Sequence, residues 1–272
     1  MRRPIAAAVA LIAATPALPA PREPPSTKLE ATYAVTLAGL PLGRATLRLD
    51  VAGGNRYEAV LDAALKGLAG VLIGGEGKAT SRGRLDGPLP RPRFFALDAR
   101  YSGTPLVERM ASDDGDIGRV DITPKPMDRP DRVPAGPRDR KGVVDPVAGL
   151  VGRRLARDGT LDASECARTV PVHDGTTRFD VVLSPVPALA PGPAAVPGPQ
   201  VVCAVRYVPI SGHRPTGWAV KAMSENKDVR VWLAEVGSTG VLAPARISVS
   251  TPLGSAVAEA VGWTVKGPPG AR

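Results

Sequence analysis

A mainly β chain is predicted here: a large curved antiparallel sheet or open half-barrel with one main helix. Three features of the 272 residues predict it. Apolar and polar residues alternate along most of the chain, as in strands with one buried and one wet face. Gly- and Asp-rich turns separate the alternating runs. One segment, 145–157, carries an apolar stripe at helical spacing instead.

After a Pro-rich leader at 21–28, Tyr33, Val35 and Leu37 share one face, and Thr32, Ala34 and Thr36 the other. Residues 39–43 lead to a second run, where Ala45, Leu47, Leu49 and Val51 alternate with Arg44, Thr46, Arg48 and Asp50. Gly53-Gly54-Asn55 is a hairpin connection, after which Tyr57, Ala59, Leu61, Ala63 and Leu65 continue the pattern. The Gly-rich stretch 66–75 reads either as a packed turn or as a mobile flap over a cavity. Strands resume at 78–84, 94–101, 106–112 and 117–123, with Ser112-Asp113-Asp114-Gly115 the clearest turn. Prolines and dense charge make 124–142 a solvated loop.

Val147, Leu150, Val151 and Leu155 supply the helical stripe, with Asp145 as N-cap and Pro146 in the first turn. Arg153, Arg154 and Arg157 fall in the last turns, where cations complement the helix dipole, and form a candidate anion or partner contact. Val170 and Val172, then Asp174-Gly175, then Phe179, Val181 and Leu183 predict a hairpin. A Pro/Ala/Gly tract at 185–199 is an exposed loop. Val201, Cys203, Val205 and Tyr207 share the next strand face, and 229–236, 246–251 and 256–265 complete about ten to twelve strands. One mainly β domain thus spans 29–265, with a tail at 266–272.

Residues 1–20 have the order of an export signal: Arg2 and Arg3, an apolar stretch at 5–14, helix-breaking Pro16 and Pro19, and small Ala17 and Ala20. The apolar run is shorter than the roughly 20 residues that cross a bilayer. The expectation is a periplasmic protein with no transmembrane segment after signal cleavage. In an oxidising compartment Cys166 and Cys203, the only cysteines, are expected to pair. The loop they close is worth roughly 4 kcal/mol on the chain-entropy model. The net charge of +9 suits anionic envelope components or simple solubility. Nucleic acid is not an expected partner, because no basic helix carries interleaved aromatics.

Catalytic signatures are sparse. Of two histidines, His173 adjoins the Asp174-Gly175 turn and is expected at the surface. His213 follows a strand end and is a candidate for a cavity mouth; a Ser211–His213 nucleophile pair is conceivable, but residues two apart rarely face each other productively. No Gly-x-Ser-x-Gly elbow or Ser-x-x-Lys is present, so no catalytic residue is assigned. No metal or cofactor is expected: two histidines and two bridged cysteines do not make a zinc site, and Asp113, Asp114 and Asp116 lack the layout of a calcium loop. The small inward residues Ala45, Ala59 and Ala63 either pack closely or leave room for a ligand, and at least one of Trp218, Trp232 and Trp263 is expected in the core.

The order Tyr33-x-Val35, Gly39-x-x-x-Gly43, Gly77, Ser81-x-Gly83, Pro90, Asp145-Pro146, Cys166, Asp174-Gly175, Cys203, Gly212-His213, Val231-Trp232-Leu233 and Pro244 resembles an uncharacterised exported bacterial family, domain of unknown function 3108. The resemblance covers roughly 29–265 and implies an exported, mainly β protein. It implies a shape like the open β half-barrels of periplasmic lipoprotein carriers, and it transfers no catalytic residue. The leading functional expectation is a non-enzymatic envelope protein that binds an apolar ligand, a lipid or acyl chain, on the concave face of the sheet. The alternative is an envelope scaffold that meets a partner through the basic loop 125–141 or the arginines of the predicted helix. A hydrolase around His213 is the third.

Overall fold

The computed structural model describes residues 25–53, 55–65, 74–155, 160–186 and 191–267. Residues 1–20, with the expected export signal, most of the 66–75 connection, Arg157 and most of the tail lie outside the described residues.

The first half of the chain makes seven strands: β1 (Ser26–Leu37), β2 (Leu40–Ala52), β3 (Arg56–Leu65), β4 (Gly75–Arg84), β5 (Arg91–Tyr101), β6 (Thr104–Asp113) and β7 (Asp116–Thr123). The second half makes β8 (Gly152–Arg153), β9 (Arg168–His173), β10 (Arg178–Pro185), β11 (Gln200–Ser211), α1 (Trp218–Glu225), β12 (Val229–Glu235), β13 (Val241–Thr251) and β14 (Gly254–Lys266). All the strands join one antiparallel sheet. Its order is β7-β6-β5-β4-β3-β2-β1-β14-β13-β12-β11-β10-β9, with β8 attached to β13. Two meanders are therefore fused where the first strand pairs with the last.

Tight turns fix the register. Ala38-Gly39, Ser102-Gly103 and Asp114-Gly115 each place two successive residues at positive φ. That is the type I′ geometry whose twist matches an antiparallel pair. The first of these shortens the expected 39–43 connection, because β2 already begins at Leu40. The predicted alternation holds: Leu29, Ala31, Tyr33, Leu47, Leu49, Tyr57 and Ala59 are buried on one face.

The sheet does not close into a barrel, and a short stretch of chain spans the gap between its two ends. The Val143 amide donates to the Gly115 carbonyl (2.9 Å), and the Val144 amide to the Pro171 carbonyl (2.8 Å). The His173 amide donates back to the Val144 carbonyl (2.9 Å), so Val144 forms a parallel bridge to Val172. From there the chain runs inside the curve, where Val143, Val144, Val147, Ala148 and Val151 are buried.

This path overturns the helix expected at 145–157. Asp145 does act as a cap, but only the short 3-10 turn Ala148–Leu150 follows it. The Arg153 amide donates to the Pro88 carbonyl and the Arg154 amide to the Gly240 carbonyl (both 2.9 Å), and Gly152–Arg153 pairs with β13. Tertiary partners for the backbone outcompete the helix, and Gly149 and Gly152 weaken it further. The one described α-helix is instead Trp218–Glu225, built from helix formers such as Ala219, Lys221, Ala222 and Met223, with no buried residue.

Cys166 and Cys203 form the expected disulfide, with Cα atoms 5.4 Å apart. It ties the 3-10 turn Ala163–Cys166, ahead of β9, to the first part of β11, and both residues are fully buried. Replacing both cysteines by alanine is expected to lower unfolding free energy by about 2–5 kcal/mol in urea melts. An unchanged midpoint would mean that the bridge adds nothing to this core.

Candidate functional site

A chain of buried polar groups holds the inner segment in place. Asp145 is fully buried. Its Oδ2 accepts a hydrogen bond from Ser81 Oγ (2.6 Å), and its Oδ1 accepts from the amides of Val147 (3.0 Å) and Ala148 (2.8 Å). Ser81, on β4, also contacts the Tyr57 hydroxyl on β3 at 2.9 Å. Gly83 faces Tyr57 across the same strand pair. Burial pushes the Asp145 carboxyl up to about 6 and the Tyr57 phenol far above its usual range. On the other flank Tyr33 Oη donates to the Pro244 carbonyl (2.6 Å), linking β1 to β13 through the interior.

Glu108 is a second buried carboxylate, on the inner face of β6 beside Met110. Burial, then the charges of Asp174 and Asp145, push it up to about 7. Its Oε1 has no hydrogen-bond partner, and the carboxyl packs against Gly175 of the β9–β10 turn, where any Cβ would collide with it. His173 is buried here too, accepting at Nδ1 from the Gly175 amide (3.0 Å), and burial holds its pKa down. The expectation of a surface His173 is therefore corrected. The turn is folded inward against Glu108, and the crossing segment covers it.

The second half of the sheet carries a partly open apolar cavity of about 240 Å³. Its floor is the concave face of β9–β13, including Phe179, Val181, Val205, Val231 and Ile247, and its roof is Pro146, Leu150 and Val151 of the inner segment. The lining alternates along β9, β10 and β12, as one face of a sheet must, and shifts at a bulge in β13. Among the described residues Arg168 is the one charged side chain on its wall. Around Ala45 and Ala63, where the sequence left close packing and room for a ligand both open, lies a more open groove of about 660 Å³ that also exposes Arg44, Asp62 and Asp98. Ala59 is packed in the core.

The sequence-predicted site residues do not gather at this cavity. His213 is not in its lining. The His213 carbonyl accepts from the Val133 amide (2.9 Å), while Ser211 Oγ and His213 Nδ1 make no hydrogen bond with each other. Arg153 reaches Asn55 Oδ1 (2.9 Å), and Arg154 pairs with Glu165 (3.4 Å) and Glu235 (3.3 Å). Both arginines thus face inward contacts rather than a solvated helix. Of the indoles, Trp232 is buried under the Arg246 guanidinium, 4.8 Å from its ring, while Trp218 is 76% exposed on α1. Among the described residues no group of three or more His, Cys, Asp or Glu is placed to hold a metal ion, and no helix is long and apolar enough to cross a membrane. Glu108 and Arg168 were not singled out from the sequence, and Ser81 entered only within the Ser81-x-Gly83 motif. A carboxylate in the apolar register of β6, between Leu106 and Met110, was the readable signal for one of them.

A group whose pKa is raised on folding stabilises the fold less as pH climbs past its unfolded value. Glu108, at 4.5 when unperturbed and about 7 here, therefore costs stability between those values as pH rises. Glu108→Gln is expected to gain on the wild type between pH 5 and pH 8, by about 3 kcal/mol in paired urea titrations. A difference that stays flat with pH would show that Glu108 titrates normally.

No curated protein matches the chain. Among solved structures it is similar to a β-barrel-like protein of domain of unknown function DUF1849 from Brucella abortus. The two are 11% identical with a TM-score of 0.47, over 90% of this chain and 99% of that one. The family model "Protein of unknown function (DUF3108)" matches residues 32–261, nearly the whole described sheet from β1 into β14. The chain belongs to that family.

Proposed function

We propose that this is an exported binding protein that holds an apolar ligand, a lipid or acyl chain, inside the second half of its sheet. The cavity carries the reading. It is a partly open space of about 240 Å³ walled almost entirely by hydrocarbon, in a molecule long enough to pack its core densely elsewhere. Concave apolar pockets with few polar groups are the usual sites of small-molecule ligands. The valines of β9–β12 are too short to meet across the curve, and the roof segment leaves the space unfilled.

A binding role without catalysis is also supported by the polar chain. The Ser81 hydroxyl, the serine set against a carboxylate, is fully buried and engaged by Asp145 and Tyr57. It faces structure rather than solvent. The turning inward of Arg153 and Arg154 weighs against a scaffold that uses them to hold an envelope partner.

Native mass spectrometry of protein purified from its own host tests the reading. The expected result is a non-covalent adduct that extracts into organic solvent. Val205→Trp, which places an indole in the void, is expected to remove the adduct with little loss of stability, since the ring fills existing space. Wild-type protein at its bare mass, still refusing acyl probes, would overturn the proposal.

A further inference from the structure

We infer that α1 and the basic loop fastened to it form a docking surface for an anionic lipid bilayer, with Trp218 and Met127 as its apolar anchors. Among the described residues these two are the most exposed of the large apolar side chains, at 76% and 69%. They are far apart in sequence, yet the fold ties their segments together. The Val133 amide donates to the His213 carbonyl (2.9 Å), and the Gly212 amide to the Val133 carbonyl (2.8 Å). Arg132 Nη1 donates to the Gly212 carbonyl (2.8 Å). Asp131 Oδ2 accepts from Arg214 Nε (2.7 Å) and Thr216 Oγ1 (3.3 Å), just ahead of α1. The loop that carries Met127 is thus held against the entrance to the helix.

The helix is turned with its indole outward. Val220, Met223 and Ser224 are half-buried along one side of α1. Trp218, Ala222 and Glu225 run along the opposite side, flanked by Ala219 and Lys221, and all five are exposed. An indole among small residues and lysine suits the headgroup layer of a membrane, which holds both its apolar body and its N–H. Charge selects an anionic surface: stretches 125–141 and 214–228 carry nine Lys and Arg to five Asp and Glu. A protein partner fits less well. An eight-residue helix is about 12 Å long, little beside the roughly 800 Å² that a stable interface takes from each side. The location also fits. Asn226 Nδ2 donates to the Ser250 carbonyl (2.7 Å), and the Ser250 amide to the Asp228 carbonyl (3.1 Å). These bonds fasten the end of α1 to β13, whose Ile247 lines the cavity with Val229 of β12. A bilayer held at α1 therefore lies next to strands that wall the partly open cavity.

Vesicle flotation of the purified protein tests this. The probes are vesicles of phosphatidylcholine alone and of phosphatidylcholine mixed equally with phosphatidylglycerol. The wild type is expected to bind the anionic vesicles about tenfold better than the neutral ones, an advantage that high salt removes. Trp218→Ala is expected to lose about tenfold in that binding while melting as the wild type does, since α1 buries no residue. Met127→Ser, which leaves the helix untouched, is expected to weaken binding in the same direction. Val205→Trp, aimed at the cavity, is expected to float as the wild type does, so this surface and the cavity stand or fall separately. Wild type that floats with neither vesicle, or Trp218→Ala that floats as well as the wild type, would overturn the inference. Protein that ignores vesicles but sediments as a dimer, with Trp218→Ala a monomer, would overturn it too and give the face to a second copy of this chain.

Discussion

The Asp145 carboxylate is the constraint on which the rest of the interior depends. A fully buried charge is tolerated only when its lone pairs are met, and three donors meet this one. Two come from its own 3-10 turn and one from Ser81 on β4. The carboxylate therefore bolts the inner segment to the first meander, while the bridge through Val144 fastens the same segment to the second. With the segment fixed at both ends, the sheet has no need to close on itself. The segment fills the first half of the curve and becomes the ceiling of the second.

The two halves of the interior differ because their side chains differ in reach. In the first, Tyr33, Leu47, Leu49, Tyr57, Phe95 and Met110 are long enough to meet the segment and exclude space. In the second, the facing positions of β9–β12 are dominated by valine, whose two methyl groups end close to the sheet. The same curvature thus gives a packed core on one side and a void on the other.

The strands were legible because a sheet with one wet face writes its register directly into the sequence, as Leu47, Leu49 and Arg48 do. The inner segment was not legible, because its buried residues carry the same spacing whether they form a helix stripe or a plug. Val147, Leu150 and Val151 have helical spacing, yet the backbone at 152–154 finds its partners in Pro88, Gly240 and β13. No local pattern announces those distant groups. The disulfide was readable from counting alone, and the Asp145 cap from residue type. Arg168 was unreadable, since its importance comes from Glu165 and the cavity wall meeting around it. His173 misled because a turn next to Gly usually faces water, whereas this turn is pressed onto Glu108.

The fusion of first and last strands has a consequence for how the molecule is made. Lys28 of β1 pairs with Lys266 of β14, so one edge of the opening strand stays unpaired until the final strand is present. The hairpins on either side close locally and quickly, but this seam pairs the two ends of the sheet and closes late. In the interval the half-built sheet offers a bare edge, the kind of surface on which strands of other chains add. The outward Lys28, Glu30 and Thr32 that line β1 are suited to that interval, since charged and polar side chains along a waiting edge discourage strangers while leaving the register open for β14.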